Sequence, residues 1–217
     1  MSKPFQPIRI KSRVEFDWLI EHMSNEAYRV RDNWDLWPAI ENSIDEYSIE
    51  FNQTPNFWEL TRQAYQDAVV LRLGRLYDPH ATSTSLGNLL QTIKTIKENA
   101  FGASTLFTAS LSNLDMTELD SEITQVSYDD PIVEKLLLIR NEFHAHRGTR
   151  HVTKGTFASL PSLKQDEIST LMTRAIDLLQ KYRERLGYTR LLWGHDELKE
   201  FQTLLSLLRA GLSSKTS

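Results

Sequence analysis

Three observations predict that this 217-residue sequence folds as an all-α protein. Apolar residues recur at three- and four-residue intervals through most of the chain, the spacing that lines them along one face of a helix. No run of β-branched residues alternates with period two, and the turn pairs that close hairpins are lacking. Thr54-Pro55 and Asp130-Pro131 each place a capping side chain before a proline, as at the start of a helix. The expected architecture is an antiparallel bundle of four or five long helices with one or two additional ones.

Residues 1–12 hold two prolines and scattered basic residues without periodicity, and read as a loose leader. Val14, Phe16, Trp18, Leu19, Ile20 and Met23 make an amphipathic first segment from residue 13 to about 29. Trp34, Trp37, Ile40, Ile44, Tyr47 and Phe51 then predict a second helix over roughly 34–52, with Pro38 in its first turn. Thr54 as N-cap and Pro55 at N1 open a third, which should stop before Asp78-Pro79 and bury Phe57, Leu60, Ala64, Ala68 and Leu71. Near its end stand Arg72, Arg75 and Asp78. An arginine complementing the helix dipole and an aspartate in a turn explain them most simply, with Arg75 and Asp78 kept as secondary site candidates.

A fourth helix spans about 86–100 with Leu86, Leu89, Leu90, Ile93 and Ile96 as its apolar residues. Residues 101–127 fit a short helix, a loop, or both. Asp130 caps the next helix with Pro131 at N1, and a loop holding Gly148, Gly155 and Pro161 follows it. Ser162 is the expected cap of a helix whose stripe runs from Ile168 to Tyr182 and ends near Leu186. The last helix covers about 196–212, leaving 213–217 as a disordered tail. These segments read as a single helical domain over 13–212, its core at about 30–190. Trp, Tyr and Met on the stripes are core residues rather than a cofactor box.

An apolar content of 40% suffices for a sizeable core. The absence of cysteine rules out disulfides and thiolate chemistry. No stretch approaches the roughly 18 apolar residues of a membrane span, and residues 1–12 lack a signal-peptide core, so a cytoplasmic location without membrane insertion is expected. A net charge of −4 argues against coating nucleic acid through bulk electrostatics. Locally the balance inverts: Arg140, Arg147, Arg150 and Lys154 face one acid, Glu142, among three histidines.

That local cluster, LLLIRNEFHAHRGTRH at 136–151, attaches a polar group to the end of a strongly apolar helix. At about 100° per residue Ile132, Leu136, Ile139 and Phe143 share one sector, and Arg140 and His146 flank it at roughly 60° on either side. An arginine beside such a stripe needs an anion or several acceptors. Arg140 and His146 lie about 9 Å apart along the axis, so their side chains must lean together or meet counterparts across a twofold axis.

Arg140-Asn141-x-x-x-x-His146 resembles the R-x(4–6)-H signature of the HEPN superfamily, in the RN-x(4)-H form of its abortive-infection AbiU-like branch. LRLGRLYD at 71–78 and SLGNLL at 85–90 are similar to that branch as well, and the resemblance covers roughly residues 30–190. It implies an all-α homodimer whose paired motifs form one cleft and, in active members, a metal-independent ribonuclease acting as a toxin or antiphage effector. Carried over, Arg140 would bind the scissile phosphate, Asn141 would orient the pair, and His146 would do acid/base or phosphate-stabilising work. RNA would be the partner, with an antitoxin protein encoded nearby. His144 stands where an aliphatic or aromatic residue is more usual, so two histidines compete for the role. The spacing selects His146, since Arg140 to His144 is one residue too short. His144, Arg147, Arg150 and Lys154 would form a looser phosphate-binding rim.

The chemistry is coherent in its own right. RNA can be cut by its own 2′-OH, which requires a proton acceptor near neutral pH and cationic donors for the developing charge; histidine and arginine supply these. No metal or cofactor is expected. The competing reading is a non-catalytic module that binds a nucleotide, an RNA or a protein, and an Arg140 sealed within one bundle and paired with a carboxylate such as Asp78 would favour it. A metal site from His144, His146 and His151 is disfavoured, because His144 and His146 at i,i+2 point about 160° apart on a helix. Walker, GxSxG and HExxH motifs are absent.

Overall fold

The computed structural model describes residues 5–98, 111, 113–141, 162–189 and 196–215. Among them are eight helices and no strand: α1 (Arg13–Ser43), α2 (Ser48–Gln53), α3 (Pro55–Leu76), α4 (Leu86–Glu98), α5 (Met116–Gln125), α6 (Pro131–Ile139), α7 (Gln165–Arg185) and α8 (Asp196–Lys215). The all-α expectation holds. None of the described helices is long and apolar enough to cross a membrane. The chain divides into two compact units, residues 1–27 with 70–191 and residues 28–69 with 192–217.

The first unit is organised by α4, α6 and α7 with the start of α1 and the end of α3. Phe16, Ile20, Leu73, Leu89, Ile93, Leu136 and Leu171 are essentially inaccessible there. Helix α4 packs on α5, and α6 packs on α7. Asp130 caps α6 as expected, accepting from the N–H groups of Ile132 and Val133 at 2.9 and 3.1 Å, with Pro131 behind it. Asp115 caps α5 in the same way, which places a helix within the stretch whose sequence left helix and loop open. The start of α7 is shifted from its expected Ser162. Lys164 occupies the cap position, and Glu167 three residues on accepts its backbone N–H at 2.7 Å, so a carboxylate inside the first turn replaces the hydroxyl in front of it.

In the second unit, Ile40, Tyr47, Phe51, Trp58, Phe201 and Leu205 form one cluster. Trp58 is its centre, with ring centroids 4.6 Å from Phe51 and 6.3 Å from Phe201. Helix α8 packs on α2. Arg209 reaches from α8 to Glu50 at 2.8 Å while its guanidinium lies 3.9 Å from the Tyr47 ring centre.

Several expectations need correction. The first predicted segment and the second as far as Ser43 are one helix, α1, because Ala27 and Val30 carry the buried stripe between Met23 and Trp37; the rest of the predicted 34–52 helix is a turn at 44–47 followed by α2. Pro38 consequently lies inside α1 rather than in a first turn. On α3 the stripe was placed one residue out. Trp58 and Val69 are buried, whereas Phe57 and Leu60 are 58% and 65% exposed; Ala64 is exposed, and Ala68 and Leu71 are half-buried. Two adjacent aromatics, Phe57 and Trp58, competed for the core, and the larger one took it. Residues 5–11 are not loose: the N–H groups of Gln6 and Ile8 donate to Asn88 Oδ1 at 2.9 Å and Thr92 Oγ1 at 2.7 Å on α4. Residues 213–215, expected in a disordered tail, continue α8.

Candidate functional site

The site begins where α3 ends. Pro79 cannot extend the helix, and the Tyr77 N–H closes the last turn on Leu73 O at 3.0 Å. Buried Tyr77 anchors this end by donating its hydroxyl to Leu171 O at 2.8 Å. Asp78 then turns the chain: its Oδ1 accepts the His80 N–H at 3.0 Å, a side-chain turn of the kind aspartate favours. The second oxygen, Oδ2, accepts Arg140 Nη1 at 3.1 Å.

Arg140 stands at the end of α6 and keeps helical torsions, φ −55° and ψ −46°. Its aliphatic stem crosses α3 at Gly74, where a Cβ would lie 2.5 Å from Arg140 Cδ and 2.8 Å from Cγ. Glycine inside a helix is destabilising by about 0.5–1 kcal/mol relative to alanine. Here it provides the space through which Arg140 reaches Asp78. The ion pair is partly shielded, with 16% of the Arg140 side chain and 22% of the Asp78 side chain exposed. Among the described residues Asp78 is the only partner of the guanidinium, and the buried Nε has none. Burial pushes the Asp78 carboxyl upward, but the His80 N–H, the Arg140 guanidinium and the Ser83 hydroxyl together hold it below the ordinary carboxylate range.

The turn from Pro79 to Ser85 is fixed by Asn88, a fully buried polar side chain on α4. Its Nδ2 donates to His80 O at 2.8 Å and Ser83 O at 2.9 Å, while Oδ1 accepts Gln6 N–H. All its amide groups are therefore used. One side chain joins residues 5–8, α4 and the turn that carries Asp78. Phe5 seats its ring on Gly87, where a Cβ would lie 2.2 Å from the ring.

Of the residues singled out from sequence, Arg140 and Asp78 are brought together, and the half-buried Asn141 follows Arg140 directly. Arg75 is exposed, and its side chain makes no described contact with either. His144, His146, Arg147, Arg150 and Lys154 lie outside the described residues, as does Phe143. Sequence reasoning missed Gly74 and Asn88 as parts of the site. Each left a signal: a glycine within the helical stripe of LRLGRLYD and an amide among the leucines of SLGNLL.

A family model described as AbiU2, of HEPN type, matches residues 13–205 of the chain. No curated protein and no solved structure matches it.

Proposed function

Because the chain belongs to the AbiU2 family of HEPN proteins, we propose that it is a metal-independent endoribonuclease of abortive infection that works as a homodimer on cellular RNA. Arg140 carries this reading. A guanidinium is held on one side by Asp78, its stem fits over Gly74, and most of its donors are unused among the described residues. Five N–H groups in a planar fork suit a phosphate.

In the proposed reaction the ribose 2′-oxygen attacks the adjacent phosphorus as His146 takes its proton. The P–O5′ bond breaks, a 2′,3′-cyclic phosphate forms, and the 5′-oxygen collects a proton from the partner's His146. Arg140 binds the non-bridging oxygens, where negative charge grows. Asn141 orients Arg140 and His146. Asp78 is a positioning residue that contacts Arg140 rather than RNA.

A second reading has an observation in its favour. Arg140 already owns a carboxylate, and the pair is locally neutral, which lowers the attraction for a phosphate. A non-catalytic module binding RNA or protein would use the same pair as an internal brace. The partial exposure of Arg140, 16%, and its single hydrogen bond among the described residues favour the nuclease.

The test is incubation of the full-length protein with RNA in excess chelator, beside an all-deoxy strand of the same sequence. The nuclease reading expects cleavage of RNA alone, a cyclic phosphate at the new end, and a rate lowered at least about 100-fold by Arg140→Ala or His146→Ala. Cleavage that survives both substitutions contradicts it.

A further inference from the structure

The last turn of α3 faces a second polar feature, a small cleft of about 110 Å³ lined by His22, Met23, Glu26, Arg75, Leu76 and Thr84. It lies in the first unit and does not contain Arg140. Arg75 is exposed and makes no ion pair with any described residue, and His22 and Thr84 are likewise exposed without a described partner. Glu26, the one carboxylate of the lining, is engaged by Arg72 Nη1 at 3.0 and 2.9 Å through both of its oxygens. Its charge is thus matched from outside the cleft, and the charge left unmatched is that of Arg75. Thr84 precedes Ser85, whose hydroxyl and carbonyl receive the first N–H groups of α4, so the positive end of that helix dipole lies beside the cleft.

The geometry points to an anion subsite here, one that takes a backbone phosphate of single-stranded RNA next to the phosphate at Arg140. Arg75 supplies the charge, and Thr84 and His22 supply further hydrogen-bonding groups. The volume admits a group of several heavy atoms such as a phosphate. Placement is what ties it to the strand: Asp78, two residues past the end of α3, donates its N–H to Arg75 O at 3.3 Å, so the residue that holds Arg140 and the residue that lines the cleft share one turn. A phosphate on Arg75 is therefore a near neighbour of one on Arg140, and a strand crossing the end of α3 meets both. Such a contact reads the backbone and not the sequence. The inference rests on the RNA-cleaving reading for its ligand, though not on catalysis itself.

Binding is measured in the full-length His146→Ala protein, so that RNA stays intact, by fluorescence anisotropy with a labelled single-stranded RNA over a range of salt. Arg75→Ala is expected to weaken binding about five- to tenfold at low salt and to reduce the log–log salt slope by about 0.7, the value for one phosphate contact on a single strand. Arg75→Lys should recover most of both. Thr84→Val should weaken binding about twofold, and Arg209→Ala should leave it unchanged. Binding that is absent, or indifferent to Arg75→Ala in both affinity and salt slope, overturns the subsite. The two ideas fail separately. Arg75-dependent binding by a protein that never cuts RNA removes the nuclease and keeps the subsite, whereas cleavage with a KM indifferent to Arg75→Ala removes the subsite and keeps the nuclease.

Discussion

Arg140 and Arg209 both reach across helices to a carboxylate, and the two pairs are built differently. Arg209 donates through Nε to Glu50 and through Nη2 to Glu46 O at 2.6 Å, and it lies over the Tyr47 ring. Its guanidinium is used on two edges and one face although 44% of the side chain is exposed. That guanidinium holds the Glu50 carboxyl below its ordinary range against the effect of burial. Arg140 is less exposed and yet makes one described hydrogen bond, leaving a buried Nε without a partner. An unsatisfied buried donor destabilises by about 1–3 kcal/mol. Arg31 and Arg183 also keep buried nitrogens without a hydrogen-bond partner, so the open Nε does not by itself set Arg140 apart. What distinguishes Arg140 is its stem seated over Gly74 beside Asp78, and the donors that the described residues leave open are the proposed ligand-binding capacity.

This contrast can be sharpened by substitutions of graded effect. The largest should come from Gly74→Ala. The added methyl would sit 2.5 Å from Arg140 Cδ, so the arginine must move, and displacement of a catalytic group by an ångström lowers rate about 100-fold. Alanine favours the helix backbone, so melting temperature should shift by no more than about 2–4 °C while cleavage collapses. Equal losses of both would mean that Gly74 serves packing alone.

Next is Asn88→Ala, which strands the carbonyls of His80 and Ser83 and the N–H of Gln6. Unfolding in urea should show a loss of about 2 kcal/mol. Cleavage should also fall, because the turn holding Asp78 loses its tie. An unchanged urea midpoint would show that the turn is held by other contacts.

Asp78→Asn is expected to destabilise by about 1–2 kcal/mol at neutral pH, with a definite pH signature. The carboxyl has a lowered pKa in the folded protein. Its contribution is therefore complete above the unfolded-state value and disappears as pH falls through the lowered folded-state value. The gap between wild type and Asp78→Asn should narrow on acidification. A gap constant with pH would place the effect in shape rather than charge. Arg209→Ala should have the least effect on RNA cleavage, with its consequences confined to stability of the second unit.

How far the sequence revealed this arrangement depended on the kind of signal. Asp130-Pro131 and Thr54-Pro55 mark helix starts through local chemistry, and α6 and α3 begin there. The stripe of α3 misled because neighbouring apolar residues differ by 100° on a helix, and periodicity alone could not choose between Phe57 and Trp58. The break expected near residue 30 arose from the modest hydrophobicity of Ala27 and the isolation of Val30, both of which are buried. Asp78 was legible as a turn residue and as a carboxylate that could pair with Arg140, but that pairing joins positions 62 apart in sequence and no local pattern fixes it. Asn88 and Gly74 stand out in the sequence as an amide among leucines and a glycine in a helical stripe, but their partners Gln6 and Arg140, 82 and 66 residues away, are set by packing. The motif itself was legible at Arg140, and its expected need for an anion is met by Asp78 within the same unit.

The most direct test of the contrast between the two arginines is the initial rate of RNA cleavage in chelator for wild type, Arg140→Ala and Arg209→Ala at matched concentration, with melting curves alongside. If Arg140 is a phosphate-binding cation and Arg209 a structural one, the first substitution lowers the rate at least about 100-fold and the second leaves it within about twofold. An Arg140→Ala protein that cuts RNA at the wild-type rate contradicts that assignment.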